Sequence, residues 1–191
     1  MTRRGSVPIV MRLGEALVDE HEITTATLDT NVFPAEALVQ RAARLGIEAA
    51  VITVSRREVE GSTLDEEVSA LESIAETGVF GESRYGEPVF GSQSDAECLE
   101  RALELLSNRA FPRIGNRERM TNGQRRQLRD AMILCAHVRS KRHLLVSNDR
   151  KAFVNKGRRE AIAATFCARV MTVAEFEQYL FELERNRRPA V

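Results

Sequence analysis

The sequence predicts an α/β fold, a three-layer α/β/α sandwich with a central, mainly parallel sheet. Three observations predict it. Apolar runs such as Ile47 to Val54 are near-continuous rather than alternating, as expected of strands covered on both faces. Such runs alternate along the chain with stretches of helical periodicity. Aromatic residues make up only 5% of the chain and Trp is absent, yet 43% is hydrophobic, so the core must be aliphatic. The length of 191 residues suits one domain of ordinary size.

Taken in order, residues 1–23 form an N-terminal extension in which Val7 to Val18 suits a strand or a short helix. Residues 24–29, Thr-Thr-Ala-Thr-Leu-Asp, are β-branched and apolar and stop at a polar triplet, so they predict a buried strand ending at Asp29. Ala35 to Leu45 has helical spacing and is closed by Gly46. Ile47 to Val54 is the second strand, and Ser55 is placed to cap the helix after it. Thr63 caps a further helix running to about Glu76, with acids in its first turn where the helix dipole favours them. Residues 78–94, rich in Gly, Ser and Pro, predict a loop that carries Tyr85 and Phe90. Ser94 then caps a helix to about Asn108, and residues 110–122 are irregular and basic. Gln124 to Ser140 is an amphipathic helix, and His143 to Val146 is a short strand. A helix over 158–166, a strand over Arg169 to Thr172 and a helix over Val173 to Arg185 complete the alternation.

Composition excludes several classes. No stretch approaches the length of apolar chain that spans a bilayer, and the N-terminus lacks the apolar run of a signal peptide. A cytoplasmic protein is expected. The three cysteines, Cys98, Cys135 and Cys167, are odd in number and widely spaced, and predict buried free thiols. Net charge is zero but unevenly spread. Glu58 to Glu100 holds 12 acids and one base; Arg113 to Glu160 holds 14 bases and 4 acids. Two readings stand side by side: faces that neutralise each other within the chain or across a homodimer, or a basic rim for a polyanion shielded by the acidic segment.

The chemistry rests on four carboxylates. Asp29 and Asp149 follow apolar strand residues, and ligands of open α/β sheets bind beyond the carboxyl ends of strands. Glu58 sits in the first turn of the helix after the second strand. Asp130 lies about two turns into its helix beside apolar Ala131, Ile133 and Leu134. A carboxylate on a buried face is costly unless a cation compensates it, and several converging on one point suit a hard divalent ion. Taken singly, each has a plainer reading. Asp29 and Asp149 could be turn residues, Glu58 a helix acid, and Asp130 the partner of Arg126 one turn earlier. His137 and His143 have no nucleophile or ligand pattern around them.

Read together and in order, these segments resemble the PIN domain family. Leu28-Asp29-Thr30-Asn31 is similar to its first motif and Ser55-Arg56-Arg57-Glu58-Val59 to the segment carrying its second acid. Arg129-Asp130-Ala131-Met132-Ile133 is similar to its third, and Leu145-Val146-Ser147-Asn148-Asp149 with Phe153 to its last strand end. Arg169 to Phe176 resembles its closing strand and helix. The resemblance spans roughly residues 24–182. It implies one domain over 24–185 with an insertion around 78–120, and a Mg²⁺- or Mn²⁺-dependent ribonuclease. In that reading Asp29, Glu58, Asp130 and Asp149 are catalytic and metal-binding. Thr30, Asn31, Ser147 and Asn148 orient carboxylates or substitute weakly for them. Arg125, Arg126, Arg150 and Lys151 receive RNA. It further implies the toxin of a VapBC-type pair held by an antitoxin protein. The sequence departs from the family where Lys151 and Ala152 replace a further acid, which points to one ion rather than two. The alternative is a catalytically degraded scaffold that binds RNA or a protein. A phosphatase with a nucleophilic Asp would want a second Asp where Asn31 stands.

Overall fold

The computed structural model describes residues 23–155 and 157–187. The expected element over Val7 to Val18 lies outside them. Five strands, β1 (Thr25–Leu28), β2 (Glu48–Ile52), β3 (Glu72–Ile74), β4 (Leu144–Val146) and β5 (Arg169–Met171), form one all-parallel sheet in the order β3-β2-β1-β4-β5. Among the described residues, seven α-helices connect and cover it: α1 (Glu36–Arg44), α2 (Thr53–Val59), α3 (Asp65–Ser69), α4 (Gln93–Leu106), α5 (Asn122–Arg139), α6 (Arg158–Phe166) and α7 (Val173–Arg187). The chain is therefore the three-layer α/β/α sandwich that its sequence predicts.

Strand β4 shows why the sheet is buried on both sides. Leu144 and Val146 join the core beneath α1 and α7, with Leu38, Ala42, Phe176 and Leu180. Leu145 points the other way, into the core beneath α4, α5 and α6, with Leu103, Leu128, Met132 and Ile162. All three are fully buried. Each such side chain is worth roughly 1.5–3 kcal/mol relative to exposure, which is how a strand of three residues holds its place. Thr27 alternates in the same way: it turns from Leu28 toward α5, where its Oγ1 lies 2.9 Å from Nδ1 of the buried His137. Burial pushes the His137 pKa down to about 4, so the ring is neutral and part of the core.

Several local expectations are corrected. Strand β2 stops at Ile52 and α2 begins at once at Thr53, so Ser55 is a buried residue inside α2 and not its cap. Glu58 consequently lies in the last turn of α2 rather than its first. The helix expected from Thr63 to Glu76 is only the five-residue α3, followed by β3. That strand is a three-residue, half-exposed edge, too short for a period of two to register. Helix α4 is capped by Ser92, whose hydroxyl accepts from Asp95 N in a capping box, rather than by Ser94. A capping box of Thr121 and Gln124 starts α5 two residues before the expected Gln124. Cys167 is exposed and Cys98 half-buried; only Cys135 is a buried thiol. Among the described residues no helix is long and apolar enough to cross a membrane.

The topology positions the site. From β1 the chain builds outward to β2 and β3, then crosses to β4 and β5 on the other side of β1. The order reverses between β1 and β4, and the crevice beyond their carboxyl ends is where open sheets of this kind take ligands.

Candidate functional site

Asp29 stands at the end of β1, 4% exposed, with its backbone N–H donating to Val146 O of β4 at 3.0 Å. Its carboxylate is held from three directions. Oδ1 accepts from Thr30 N at 2.8 Å, and Oδ2 accepts from Asn31 Nδ2 and Ser147 Oγ, both at 2.6 Å. Asn31 also accepts from Asn148 N at 2.7 Å, while Asn148 Oδ1 accepts from Val173 N at 3.2 Å. These bonds tie the ends of β1 and β4 to the start of α7, and they fill Oδ2 while leaving capacity on Oδ1.

Asp149 follows β4 and caps a single π-helical turn, Arg150–Val154, its Oδ1 accepting from Lys151 N at 2.7 Å and Ala152 N at 2.8 Å. No described hydrogen bond engages Oδ2. Glu58, exposed at the end of α2, accepts from Thr30 Oγ1 at 2.7 Å, and its Oε1 lies 3.7 Å from Arg129 Nη1. Thr30 therefore orients two carboxylates, Asp29 through its amide and Glu58 through its hydroxyl.

Asp130, on α5, differs from the rest. It makes no hydrogen bond or ion pair to any described residue, and Arg126 does not close on it. Burial drives its pKa up to about 8, and the charges of Asp29, Asp149 and Glu58 add to the rise; Arg126 opposes weakly. Asp29 is raised to about 6, chiefly by burial, against the lowering effect of the Ser147 and Thr30 hydrogen bonds, with Glu58 and Asp149 again adding. The four acids thus lie in one another's field, although two of them come from strand ends and two from helices.

Among the described residues, no three His, Cys, Asp or Glu side chains close on one point as a ready-made metal cage. The donor set nevertheless fits a hydrated ion. Mg²⁺ keeps several waters and takes only one or two carboxylates. The oxygens with capacity to spare are those of Asp130, Asp149 Oδ2 and Asp29 Oδ1. Hard oxygen donors without sulfur or imidazole suit Mg²⁺ or Mn²⁺.

Arg126, Arg150 and Lys151 are exposed beside this group. Arg125 is not equally available: it pairs with Glu82 at 2.5 Å, and Arg129 Nε donates to the same carboxylate at 3.1 Å. Glu82, whose side chain is 3% exposed, belongs to the segment after β3. Two more pairs pin that segment across α2, Arg57 with Glu87 at 2.6 Å and Arg84 with Glu60. It thereby presents Phe80, Tyr85 and Phe90 fully to solvent. The acidic segment and part of the basic one therefore neutralise each other within the chain. Sequence reasoning missed Glu82 and Arg129, because their pairing joins residues 47 apart and carries no local signal.

Two cavities, about 240 and 250 Å³, lie away from the four carboxylates. One sits over α2 and α3 among Arg56, Arg57 and Arg84, the other between α4 and α5. Compared with known proteins, the chain matches no family model, and no curated protein is similar to it at a significant level.

Proposed function

We propose that this chain is a PIN-like, Mg²⁺- or Mn²⁺-dependent ribonuclease whose centre is Asp29, Glu58, Asp130 and Asp149. The observation that carries the reading is Asp130: a half-buried carboxylate, partnerless among the described residues, in the field of three others at the switch point of a parallel sheet. A site built for stability alone would pair or delete it. The ordered resemblance of the four flanking segments to one nuclease family supports the same conclusion.

Asp130, Asp149 and Asp29 would hold the ion, with Glu58 reaching it through water. When bound, the ion supplies a Lewis acid for a phosphate oxygen and a bound water of lowered pKa. The protein's own part is to keep the acids in place. Ser147, Asn31 and Thr30 fix Asp29, the amides of Lys151 and Ala152 fix Asp149, and Thr30 fixes Glu58. Arg126, Arg150 and Lys151 would meet backbone phosphates, and Phe80, Tyr85 and Phe90 offer ring faces to unpaired bases. A toxin role with an antitoxin partner, and a cytoplasmic location, extend the family reading to the protein's biology.

The absence of a closed cage among the described residues, and the occupation of Arg125 by Glu82, favour a second reading: a scaffold that binds RNA without cutting it. Asp149→Asn discriminates. The Asn side-chain oxygen can still accept from Lys151 N and Ala152 N, so the fold should keep its melting temperature. Cleavage of single-stranded RNA in Mn²⁺ should fall by roughly 100-fold or more. Equal cleavage by both proteins would place the chemistry elsewhere, and no cleavage by either would favour the scaffold.

A further inference from the structure

The cavity between α4 and α5 contains a thiol that the proposed ribonuclease centre does not use. Cys135 of α5 lines it together with Thr77, Gly78, Asp95 and Met132. Cys98 of α4 stands against it, the two sulfurs 2.8 Å apart. That separation lies between an ordinary contact and the bond length of about 2.05 Å in a disulfide. The two residues are 37 apart in sequence, so the approach is made by the packing of two helices rather than by a turn. Cys167, the third cysteine, is exposed at the end of α6 and takes no part.

The pair is also asymmetric. Cys98 is half-buried and reachable from solvent; Cys135 is buried, but against a cavity of about 250 Å³. The close contact between the two sulfurs holds the Cys98 pKa below the ordinary thiol range, while the same contact and burial push Cys135 up. An accessible attacking thiol beside a protonated resolving one is the arrangement redox-sensing pairs use.

We propose that Cys98 and Cys135 are a reversible oxidation site for hydroperoxides. The Cys98 thiolate attacks the terminal peroxide oxygen and the O–O bond breaks, giving a Cys98 sulfenic acid and an alkoxide, or hydroxide from hydrogen peroxide, which takes from solvent the proton that Cys98 had lost and leaves as alcohol or water. Cys135 sulfur then attacks the Cys98 sulfur, the S–S bond forms, and the S–O bond breaks; the leaving hydroxide takes the Cys135 proton as water. Two thiols are oxidised by two electrons and one peroxide is reduced. Because α5 also carries Asp130, five residues before Cys135, the cross-link would fix the helix that bears the partnerless acid.

The test uses the full chain and hydrogen peroxide at equimolar ratio, followed by denaturation, alkylation and non-reducing peptide mass spectrometry. The expected result is a linked Cys98–Cys135 peptide pair lighter than its two parts by two hydrogens, with only Cys167 alkylated. Dithiothreitol should restore all three alkylations. The Cys135→Ser chain should instead trap Cys98 as a sulfenic acid that reacts with a cyclic dione probe. Alkylation of both Cys98 and Cys135 after peroxide, or oxidation confined to Cys167, overturns the proposal.

Discussion

Replacing Asp130 by Asn is expected to raise the melting temperature of the metal-free protein at alkaline pH. The sign follows from linkage. Asp130 has its folded pKa raised from 3.8 to about 8, so between those values the folded state holds a proton that the unfolded state has lost. Stability contributed by that proton is present at low pH and is lost as pH rises through the folded value. Asp29 adds to the same slope over the narrower window from 3.8 to about 6. A shift of the size at Asp130 corresponds to roughly 3–6 kcal/mol, an upper range because the acids titrate together. The Asn side chain has the same shape without the charge. Thermal melts at about pH 5 and about pH 8 should therefore show a steep loss for the wild type and a much flatter one for Asp130→Asn. A wild-type melting temperature that rises steadily with pH over that range would contradict the assignment.

The second large effect is expected at Arg57. Glu76, just after β3, is fully buried, and its Oε1 lies 2.6 Å from Arg57 Nη2, with neither carboxylate oxygen accepting a well-directed hydrogen bond. The guanidinium is the compensation for that buried charge, and it also holds Glu87 of the segment that crosses α2. Arg57→Met should cost on the order of 3–5 kcal/mol, because it leaves a buried carboxylate alone. The paired change Arg57→Met with Glu76→Leu should recover most of the loss, since an apolar pair of similar volume removes the stranded charge. Urea unfolding of the two single variants and the double variant measures this directly. Additive losses in the double variant would show that the ion pair is not the coupled unit described here.

How much of this was legible in the sequence depends on the range of the interactions involved. Strands β2 and β4 are near-continuous apolar runs and β1 is a β-branched and apolar segment, and their burial in the sheet follows from those patterns. The long amphipathic α5 was readable for the same reason, to within two residues of its start. The edge strand β3 was not, because three half-exposed residues leave no periodic trace. The start of α2 was misplaced because Ile52 leads into a helix with no side-chain cap, so Ser55 looked like the better signal. The nearness of Asp29, Asp130 and Asp149 was suggested by their positions relative to strand ends and a helix face. The state of each was not. Whether Asp130 pairs with Arg126 or stands without a partner is decided by side-chain directions in three dimensions. The Glu82–Arg125–Arg129 cluster and the Cys98–Cys135 contact are likewise products of tertiary packing, and no local spacing announces them.

The central claim is that the four carboxylates form a divalent-cation centre, and calorimetric titration of Mn²⁺ into the metal-free protein at about pH 7.5 tests it most directly, near the raised pKa of Asp130. The account predicts saturable binding of one ion per chain, with protons released as Asp130 gives up its own, and loss of that binding in Asp130→Asn and Asp149→Asn. An absence of saturable heat in the wild type, or unchanged binding in both variants, would contradict it.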